Sequence, residues 1–378
     1  MPSKTILILG ASISGLGTAH RMLKAAAKSP NFTRFKIVLV SPSTHLYWNF
    51  ASPRAIIPGQ IKEEQMFASI EDGFKKYNDT QFELVIGTAE DLDTEGKRVT
   101  VKVSEGGERN LGYDFLVIAT GAQGKEHTPF KSVGSTEATR QHLREYQEKV
   151  KNAKTIVVAG AGVTGIEVAG ELGAEYGREK EIIVICSSPT VLPSSPTFLS
   201  KYATLTLQSL NVAIRPNVKV LSTTTTPSNQ TSLSLSTGEP LLADLYIPIF
   251  GLTPNSSFIP KAYKNEAGYP IVDTHLNLTP HKDIWAVGDI LGIESAQAIN
   301  SNRQSGYVAK SIVSLLSASN KALAPYKIPS SPFMGLQIGK KAGIGHYGNW
   351  RIPTWLVVRL RKDLFTDKLV PAVDGSFY

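Results

Sequence analysis

Short runs of β-branched and aliphatic residues recur along the chain, and most of them end in glycine or small polar residues. Such runs are typical of parallel strands that are buried on both faces. A different pattern occurs at Phe82–Val103, which alternates and predicts two strands joined by a turn at Thr94–Lys97. The apolar runs that we interpret as strands lie within Lys4–Gly15, Phe35–Val40, Tyr113–Ala122, Thr155–Ala159, Glu181–Cys186, Asp244–Gly251 and Asp283–Asp289.

The run Thr155–Ala159 leads directly into a G-x-G-x-x-G turn and an alanine-rich helix that extends to Leu172. In such a turn the first glycine allows the tight bend and the second lets the backbone approach a pyrophosphate. The third lets the helix pack on the strand. Phosphates bind at the helix N-terminus, where unpaired N–H groups and the helix dipole favour an anion. We therefore predict a dinucleotide site at Gly160, Gly162 and Gly165.

A second copy of this pattern occurs at the start of the chain, where Gly10 and Gly15 take the outer positions and Ser12 takes the middle one. Serine can serve there if its hydroxyl faces the phosphate. The alternative is that both turns are structural and bind nothing, but each has the expected strand before it and helix after it. We therefore predict two dinucleotide sites.

This arrangement predicts an α/β fold with two Rossmann-like dinucleotide-binding domains, the second inserted into the first, and a small C-terminal α+β region. The expected boundaries are 1–122 and 246–305 for the two parts of the first domain, 123–245 for the inserted domain and 306–378 for the C-terminal region. A Thr/Ser-rich hairpin at Ser222–Ser236 falls inside the inserted domain.

Composition narrows the possible chemistry. The chain has 378 residues, 42% hydrophobic and 19% charged, as expected of a globular protein with an ample core. Its only cysteine, Cys186, ends an apolar strand and is expected to be a small buried residue. One cysteine excludes a redox dithiol, and therefore a disulfide reductase of the thiol-relay kind. No apolar run reaches the length of a membrane span, and we expect a cytoplasmic location.

Two strand ends lack the acidic residue that usually binds an adenosine ribose. The second strand of the first βαβ unit is followed by Ser41, and the corresponding strand of the inserted domain is followed by Ser187 and Ser188. In the inserted domain, the hydroxyls of Ser187 and Ser188 can accept either nicotinamide cofactor. NADH and NADPH therefore both remain open, with a slight preference for NADPH. After the aromatic loop that begins at His45, Arg54 is a candidate to pair with a pyrophosphate; the alternative is a loop that only packs on the sheet.

Four motifs in this order and spacing resemble the superfamily of flavoproteins with two dinucleotide-binding domains, the pyridine nucleotide-disulfide oxidoreductase-like proteins: GASISG, YDFLVIATGA, GAGVTGIEVAGEL and DIWAVGD. The resemblance covers residues 1 to about 305. Within the superfamily, the loop HLYWNFASPRAI and the tail LQIGKKAGIGHYGNW…VRLRKDLF resemble the apoptosis-inducing-factor branch, in particular the ferroptosis-suppressor group and its fungal relatives.

The resemblance implies FAD in the first domain, NAD(P)H in the second, and transfer of a hydride through the flavin to a quinone-like acceptor. It implies FAD contacts from Gly10, Ser12, Gly15, Ser41, Arg54, Thr120, Gly121, Gly288, Asp289 and Gln297. It implies nicotinamide-nucleotide contacts from Gly160, Gly162 and Gly165. Because few side chains act directly in such chemistry, the single catalytic candidate is Glu167, which resembles the family's carboxylate near the nicotinamide amide. No metal is expected.

Alternatives remain for the two acidic candidates. Glu167 could instead be an exposed acid in the first turn of its helix, favoured there by the dipole. Asp289 could accept hydrogen bonds from ribityl hydroxyls, or it could be a helix cap. A helix that begins in Glu294–Ala298 would direct its N-terminus to the flavin.

The tail at Trp350–Phe365 mixes aromatic, aliphatic and basic residues, and from Lys340 onward the chain has seven basic and three acidic residues. One interpretation is a segment that lies on an anionic membrane; the other is a strand or helix that packs on the first domain. We expect no nucleic-acid partner, and the oligomeric state stays open.

The leading function is therefore an NAD(P)H:quinone oxidoreductase. A flavin-dependent oxidase or biosynthetic oxidoreductase acting on a small metabolite is the first alternative. A slow-turnover flavoprotein with a signalling role is the second.

Overall fold

A computed structural model describes residues 3–28, 34–124, 126, 128–317, 323–330 and 333–378. Within these ranges the chain is a mixed α/β protein with two main sheets, one mixed and one parallel. Their parallel strands alternate with helices in the βαβ order that the apolar runs predicted. The predicted fold class is confirmed.

The first part of the chain forms strands and helices around a long sheet. Its elements are β1 (Lys4–Leu9), α1 (Ile13–Ala27), β2 (Phe35–Ser41), β3 (His45–Tyr47), α2 (Ser52–Ala55), β4 (Phe67–Ser69), α3 (Ile70–Phe74), β5 (Phe82–Asp93), β6 (Arg98–Val103), β7 (Glu108–Gly112), β8 (Phe115–Ile118) and β9 (Ala122–Gly124). The turn predicted after Asp93 indeed separates β5 from β6.

The next part forms a second, smaller α/β unit. Its elements are α4 (Thr136–Asn152), β10 (Thr155–Ala159), α5 (Val163–Tyr176), β11 (Glu181–Ile185), α6 (Thr197–Ser209), β12 (Val212–Arg215), β13 (Val220–Thr225), β14 (Thr231–Leu235), β15 (Pro240–Ala243) and β16 (Leu245–Pro248). The predicted Thr/Ser-rich hairpin corresponds to β13 and β14.

The chain then returns to the first sheet and ends in a small mixed region. The elements are β17 (Leu252–Pro254), β18 (Ile284–Ala286), α7 (Ala298–Leu316), β19 (Phe333–Ile338), β20 (Ala342–Tyr347), β21 (Trp350–Ile352), α8 (Thr354–Leu360) and α9 (Leu369–Asp374). Short 3-10 helices occupy Asn49–Ala51, Glu63–Gln65, Lys261–Tyr263 and Lys362–Lys368.

The two sheets are interleaved in sequence. The first has the order β18-β8-β1-β2-β5-β6-β7 and is parallel from β18 to β5. The second has the parallel order β12-β11-β10-β16. Because β18 lies beside β8, the first sheet contains strands from both sides of the second unit. This topology agrees with an inserted domain, whereas the four residue boundaries stay predictions.

Helices and an additional sheet cover these two sheets. A three-stranded antiparallel sheet, β13-β14-β15, packs on one face of the second sheet and buries Leu233 and Leu235 against Val157 and Ile183. In the first unit, α1 packs closely against α7. Among the described residues, no helix combines the length and the apolar character needed to cross a bilayer.

The C-terminal region packs against both units. β19 lies on α5, and α9 lies on α1 and α3. Between α8 and α9 the backbone of Asp363, Leu364 and Phe365 is left-handed, with φ of 49°, 52° and 60°. This conformation costs about 1–2 kcal/mol per residue, and it is held by burial of Leu364 and by a hydrogen bond of 3.1 Å from Trp48 Nε1 to the Leu364 carbonyl.

The tail that was ambiguous in the sequence has both packed and exposed features. It forms β21 and α8, and α8 packs with Val357 on β20 of the C-terminal region. The expected packing on the first domain is made by Leu364, whose carbonyl accepts the hydrogen bond from Trp48. Trp350 and Trp355 are nevertheless 81% and 67% exposed. Two aromatic side chains of the folded tail therefore lie on the protein surface.

Candidate dinucleotide and redox site

Close backbone approach explains the outer glycines of both turns. Gly10 has φ +105°, and a Cβ there would lie 2.3 Å from the Ala119 carbonyl oxygen; a Cβ on Gly15 would lie 1.8 Å from that of Gly10. In the second turn, a Cβ on Gly165 would lie 1.8 Å from the Gly160 carbonyl oxygen. The contact of Gly10 is with the residue that follows β8, and the contacts of Gly15 and Gly165 join each helix to the end of its preceding strand, so no larger residue fits at these positions.

The middle positions of the two turns are open instead. A Cβ built on Gly162 would meet no atom of the described residues within 4 Å, and Gly162 is the N-cap of α5. Ser12 is the exposed N-cap of α1, and within the described chain its hydroxyl makes no cap hydrogen bond. Both helix N-termini therefore offer free donors, an arrangement that fits a pyrophosphate.

The second turn opens onto a cavity of about 240 Å³. This cavity also reaches the residues that precede α7, including the predicted flavin-side residue Gln297. Its lining consists of Gly162, Val163, Thr164, Gly165, Ile249, Ser295, Ala296 and Gln297. The structure thus brings two motifs that are far apart in sequence to one cavity.

Thr120 and Gly121 follow β8, where the chain leaves the first unit for the second. Thr120 Oγ1 donates to the Asn255 carbonyl at 2.8 Å, and Asn255 Nδ2 donates back to the Thr120 carbonyl at 2.8 Å. The Asn255 amide also donates to the carbonyl of Gly121, which has φ +68°. These bonds fix the end of β8 against the chain that follows β17. Sequence reasoning did not identify Asn255 as the partner.

Gly288 joins the last motif to the first. It has φ +85°, and a Cβ there would lie 2.3 Å from Ser14 Oγ in α1. The neighbouring Asp289 pairs with Lys131, with 2.7 Å between Oδ2 and Nζ. The cap alternative for Asp289 is wrong, because the next helix begins only at Ala298. Its contact with ribityl hydroxyls stays a prediction, and Lys131 is a partner that the sequence did not indicate.

A network of side-chain hydrogen bonds and one ion pair holds the turn at Gly288. The Gly288 amide donates to Gln304 Oε1 at 2.7 Å, and Gln304 Nε2 donates to Glu294 Oε2 at 2.8 Å. Glu294 also accepts from Tyr326 Oη at 2.6 Å and forms an ion pair with Arg303. The expected helix start in Glu294–Ala298 is therefore met at its last residue, while Glu294 itself acts as the centre of this network.

Ser41 and Arg54 have protein partners in the structure. Ser41 Oγ donates to the Ser43 carbonyl at 2.8 Å and accepts from the Ser43 amide at 3.1 Å, which closes a local turn after β2. Arg54 donates to Glu171 from Nε at 2.9 Å and from Nη2 at 2.7 Å. A pyrophosphate contact of Arg54 would have to use the N–H donors that Glu171 leaves free, two on Nη1 and one on Nη2. The cofactor roles of Ser41 and Arg54 stay predictions.

Glu167 is buried, so the alternative of an exposed first-turn acid is wrong. Its Oε1 lies 2.6 Å from Nη2 of Arg361, which follows α8. Burial raises the pKa of Glu167, and the Arg361 charge opposes that rise. Since Glu167 and Glu171 are one helical turn apart on α5, the helix presents two buried carboxylates on one face, each paired with an arginine from another part of the chain.

Residues 4–305 match the family described as pyridine nucleotide-disulphide oxidoreductase. The chain belongs to this family. FAD and NAD(P)H are the cofactors of the family, and the two open glycine turns fit them. The chain is therefore assigned as an oxidoreductase that uses these two cofactors.

Individual relatives and a solved structure are similar to this chain. Oxidoreductase ptaL of Pestalotiopsis fici is 46% identical over 373 residues, which cover 99% of this chain and 99% of the relative. Ferroptosis suppressor protein 1 of Homo sapiens is 25% identical over 375 residues, which cover 95% and 93%. The structure of the sulfide:quinone oxidoreductase from Aquifex aeolicus superposes with a TM-score of 0.77 at 18% identity, covering 99% of this chain and 92% of that one. The predicted superfamily is confirmed, and a ferroptosis suppressor protein is among the relatives of the chain.

Proposed function

We propose that this oxidoreductase takes a hydride from NAD(P)H onto FAD and reduces a quinone-like acceptor. The observation that carries the proposal is the cavity shared by the second glycine turn and the residues before α7. Hydride transfer requires the two reacting groups to be held within contact distance. A cavity that touches both the nucleotide turn and the flavin-side helix supports this arrangement.

The chain's residues divide into two binding sets in this proposal. Gly160, Gly162 and Gly165 hold the nicotinamide nucleotide at the N-terminus of α5. The FAD set is Gly10, Ser12, Gly15, Ser41, Arg54, Thr120, Gly121, Gly288, Asp289 and Gln297. The bound flavin supplies the acceptance and release of electrons, while the protein supplies position and electrostatics. The dipole of α7 would stabilise negative charge on a reduced flavin that lies beside the helix N-terminus.

Glu167 is the catalytic candidate. A buried carboxylate can accept hydrogen bonds from the nicotinamide amide and so orient its ring. The Arg361 charge supports this role because it favours the ionised form of Glu167 against the effect of burial.

The single thiol supports direct reduction of a small acceptor. Cys186 is buried, its Sγ donates to the Thr190 carbonyl at 3.2 Å, and burial raises its pKa. Such a thiol is a poor nucleophile. Electrons would therefore pass from the flavin to the acceptor without a thiol relay. The fold likeness to a sulfide:quinone oxidoreductase agrees with a quinone as that acceptor.

An anaerobic spectral titration tests the proposal. The purified holoprotein is reduced with NADH or NADPH and then treated with a quinone. Loss of the flavin absorbance with nucleotide and its recovery with quinone are expected. Recovery with oxygen alone would replace the proposal by an oxidase, and absence of reduction would indicate a flavoprotein with a binding or signalling role.

The exposed tail supports a peripheral contact with anionic lipid as part of the same proposal, for a chain located in the cytoplasm. Trp350 and Trp355 project beside the exposed cations Arg351 and Arg359. Tryptophan and basic residues favour the membrane interface. Cosedimentation with anionic vesicles is expected for the wild-type protein and should be lost when both tryptophans are replaced by serine. Equal cosedimentation of the two proteins would contradict the contact.

A further inference from the structure

We infer that the nicotinamide nucleotide is NADPH and that Arg215, with the hydroxyls of Ser187 and Ser188, binds its 2′-phosphate. The inference rests on the nucleotide role of the second glycine turn. It is independent of which acceptor is reduced.

The first step concerns the end of β11. In a dinucleotide-binding domain, the residue after the second strand contacts the adenosine ribose. An acidic residue there binds the 2′-hydroxyl of NADH, and a basic residue nearby binds the 2′-phosphate of NADPH. β11 ends at Ile185, and the positions that follow it are Cys186, Ser187 and Ser188. Ser187 is exposed, and neither serine can repel a phosphate.

The second step concerns the strand beside β11. The Cys186 amide donates to the Arg215 carbonyl at 3.0 Å, and the Val218 amide donates to the Cys186 carbonyl at 2.9 Å. The Asn217 amide donates to the Ser188 carbonyl at 3.1 Å. These bonds place the half-buried Arg215 at the end of β12, directly beside the residues that follow β11. A guanidinium in this position suits a phosphate, which it can bind with two parallel hydrogen bonds.

The third step is the distribution of charge. Residues 182–238 contain no Asp or Glu, and they contain the three basic residues Lys201, Arg215 and Lys219. This stretch includes β12, the loop after β11 and the loop after β12. No carboxylate from it can therefore bind the ribose 2′-hydroxyl or repel a 2′-phosphate. NADH would lose its usual acidic partner, while NADPH would gain an arginine.

Binding of nucleotide fragments to the FAD-loaded protein, measured by calorimetry, tests the inference without catalysis. We expect 2′,5′-ADP to bind at least about tenfold more tightly than 5′-ADP, since a charge-assisted hydrogen bond is worth that factor or more. Arg215→Gln should remove most of the difference, and Ser187→Asp should reverse it. Anaerobic flavin reduction by NADPH and NADH should change in the same direction.

Lys154→Gln is the matched control, because it removes an exposed positive charge just before β10, at the amino-terminal end of the parallel strands, whereas Arg215 lies at the carboxyl end of β12. It should leave the preference for 2′,5′-ADP unchanged. Equal binding of the two fragments by the wild-type protein, or an unchanged preference in Arg215→Gln, would overturn the inference. Binding of neither fragment would overturn it together with the nucleotide role of the second turn, whereas failure to reduce quinone would leave it intact.

Discussion

Gln304 accepts a hydrogen bond of 2.7 Å from the amide of Gly288, a residue of the proposed flavin site. Gln304 is 2% exposed, and its side-chain nitrogen donates to Glu294, whose side chain is 6% exposed. The proposed flavin-binding turn is therefore held by a side chain that has no predicted contact with the cofactor.

Replacing Gln304 by leucine leaves the Gly288 amide buried without an acceptor, which costs about 1–3 kcal/mol. We expect weaker FAD binding and a shifted flavin reduction potential, measured by FAD release and by redox titration. Tyr307→Phe is the control, because it removes only a hydroxyl that bonds to the Ala324 carbonyl and to His275 Nδ1, and it keeps the ring that packs on Tyr326. Unchanged FAD affinity and potential in Gln304→Leu would show that the turn needs no such support.

The two glycines Gly162 and Gly165 should respond differently to substitution. Gly165→Ala forces a Cβ to within 1.8 Å of the Gly160 carbonyl oxygen and should prevent stable packing of α5. Gly162→Asp meets open space and should fold with FAD bound, but its charge should abolish reduction of the flavin by NAD(P)H. Stopped-flow reduction and thermal unfolding separate these effects. Normal reduction of Gly162→Asp would contradict the second nucleotide site.

Arg54 and Glu171 form a buried pair, with side chains 4% and 3% exposed. Arg54→Gln leaves the carboxylate without its charged partner and should destabilise the fold by about 3–5 kcal/mol in denaturant unfolding. Arg98→Gln is the control, since that side chain is 60% exposed beside Asp93 and should cost less than about 1 kcal/mol.

The double variant Arg54→Met with Glu171→Leu removes both charges and should recover much of the lost stability, because buried ion pairs are often no better than apolar packing. If Arg54→Gln were as stable as Arg98→Gln, the two charges would not be paired in the folded protein.

His20 makes the stability of the fold sensitive to acid. It is fully buried, donates from Nε2 to the Val373 carbonyl at 2.7 Å and stacks on Phe74 at 4.1 Å. Burial lowers the pKa of His20 from 6.5 to about 4. Between pH 6.5 and pH 4 the unfolded chain therefore binds a proton at His20 that the folded chain does not bind. The stability that neutral, buried His20 contributes is fully present above pH 6.5 and is lost as the pH falls towards 4.

The expected loss is on the order of 3 kcal/mol, and His20→Gln, which keeps an N–H donor, should show a weaker dependence of unfolding free energy on pH in that window. Urea unfolding at several pH values between 7 and 4 measures it. Parallel curves for the wild-type protein and the variant would assign the acid sensitivity to other groups.

The sequence predicted the features that depend on neighbouring residues. Gly10, Gly15, Gly160 and Gly165 were identified because each is required by a strand and a helix that adjoin it in sequence, and the strand within Asp283–Asp289 followed from another apolar run. The same local logic correctly predicted that Cys186 is buried.

Contacts between distant segments were not predictable in this way. Nothing near Asp289 indicated Lys131, and nothing near Glu167 indicated Arg361, because each partner arrives through the fold of another segment. Glu294 was named only as the first residue of the range in which a helix was expected to begin. The structure instead commits it to Tyr326, Arg303 and Gln304, and the helix starts later.

The two arginine pairs on α5 also affect how the second unit could be exchanged between relatives. Glu167 and Glu171 belong to this unit, but Arg361 and Arg54 come from outside it. A chimaera that imports residues 136–248, from α4 to β16, from another enzyme would bring in foreign side chains opposite these guanidinium groups. The second unit is thus contiguous in sequence without being an interchangeable module, and recombination at its boundaries should succeed only when both arginines are transferred with it.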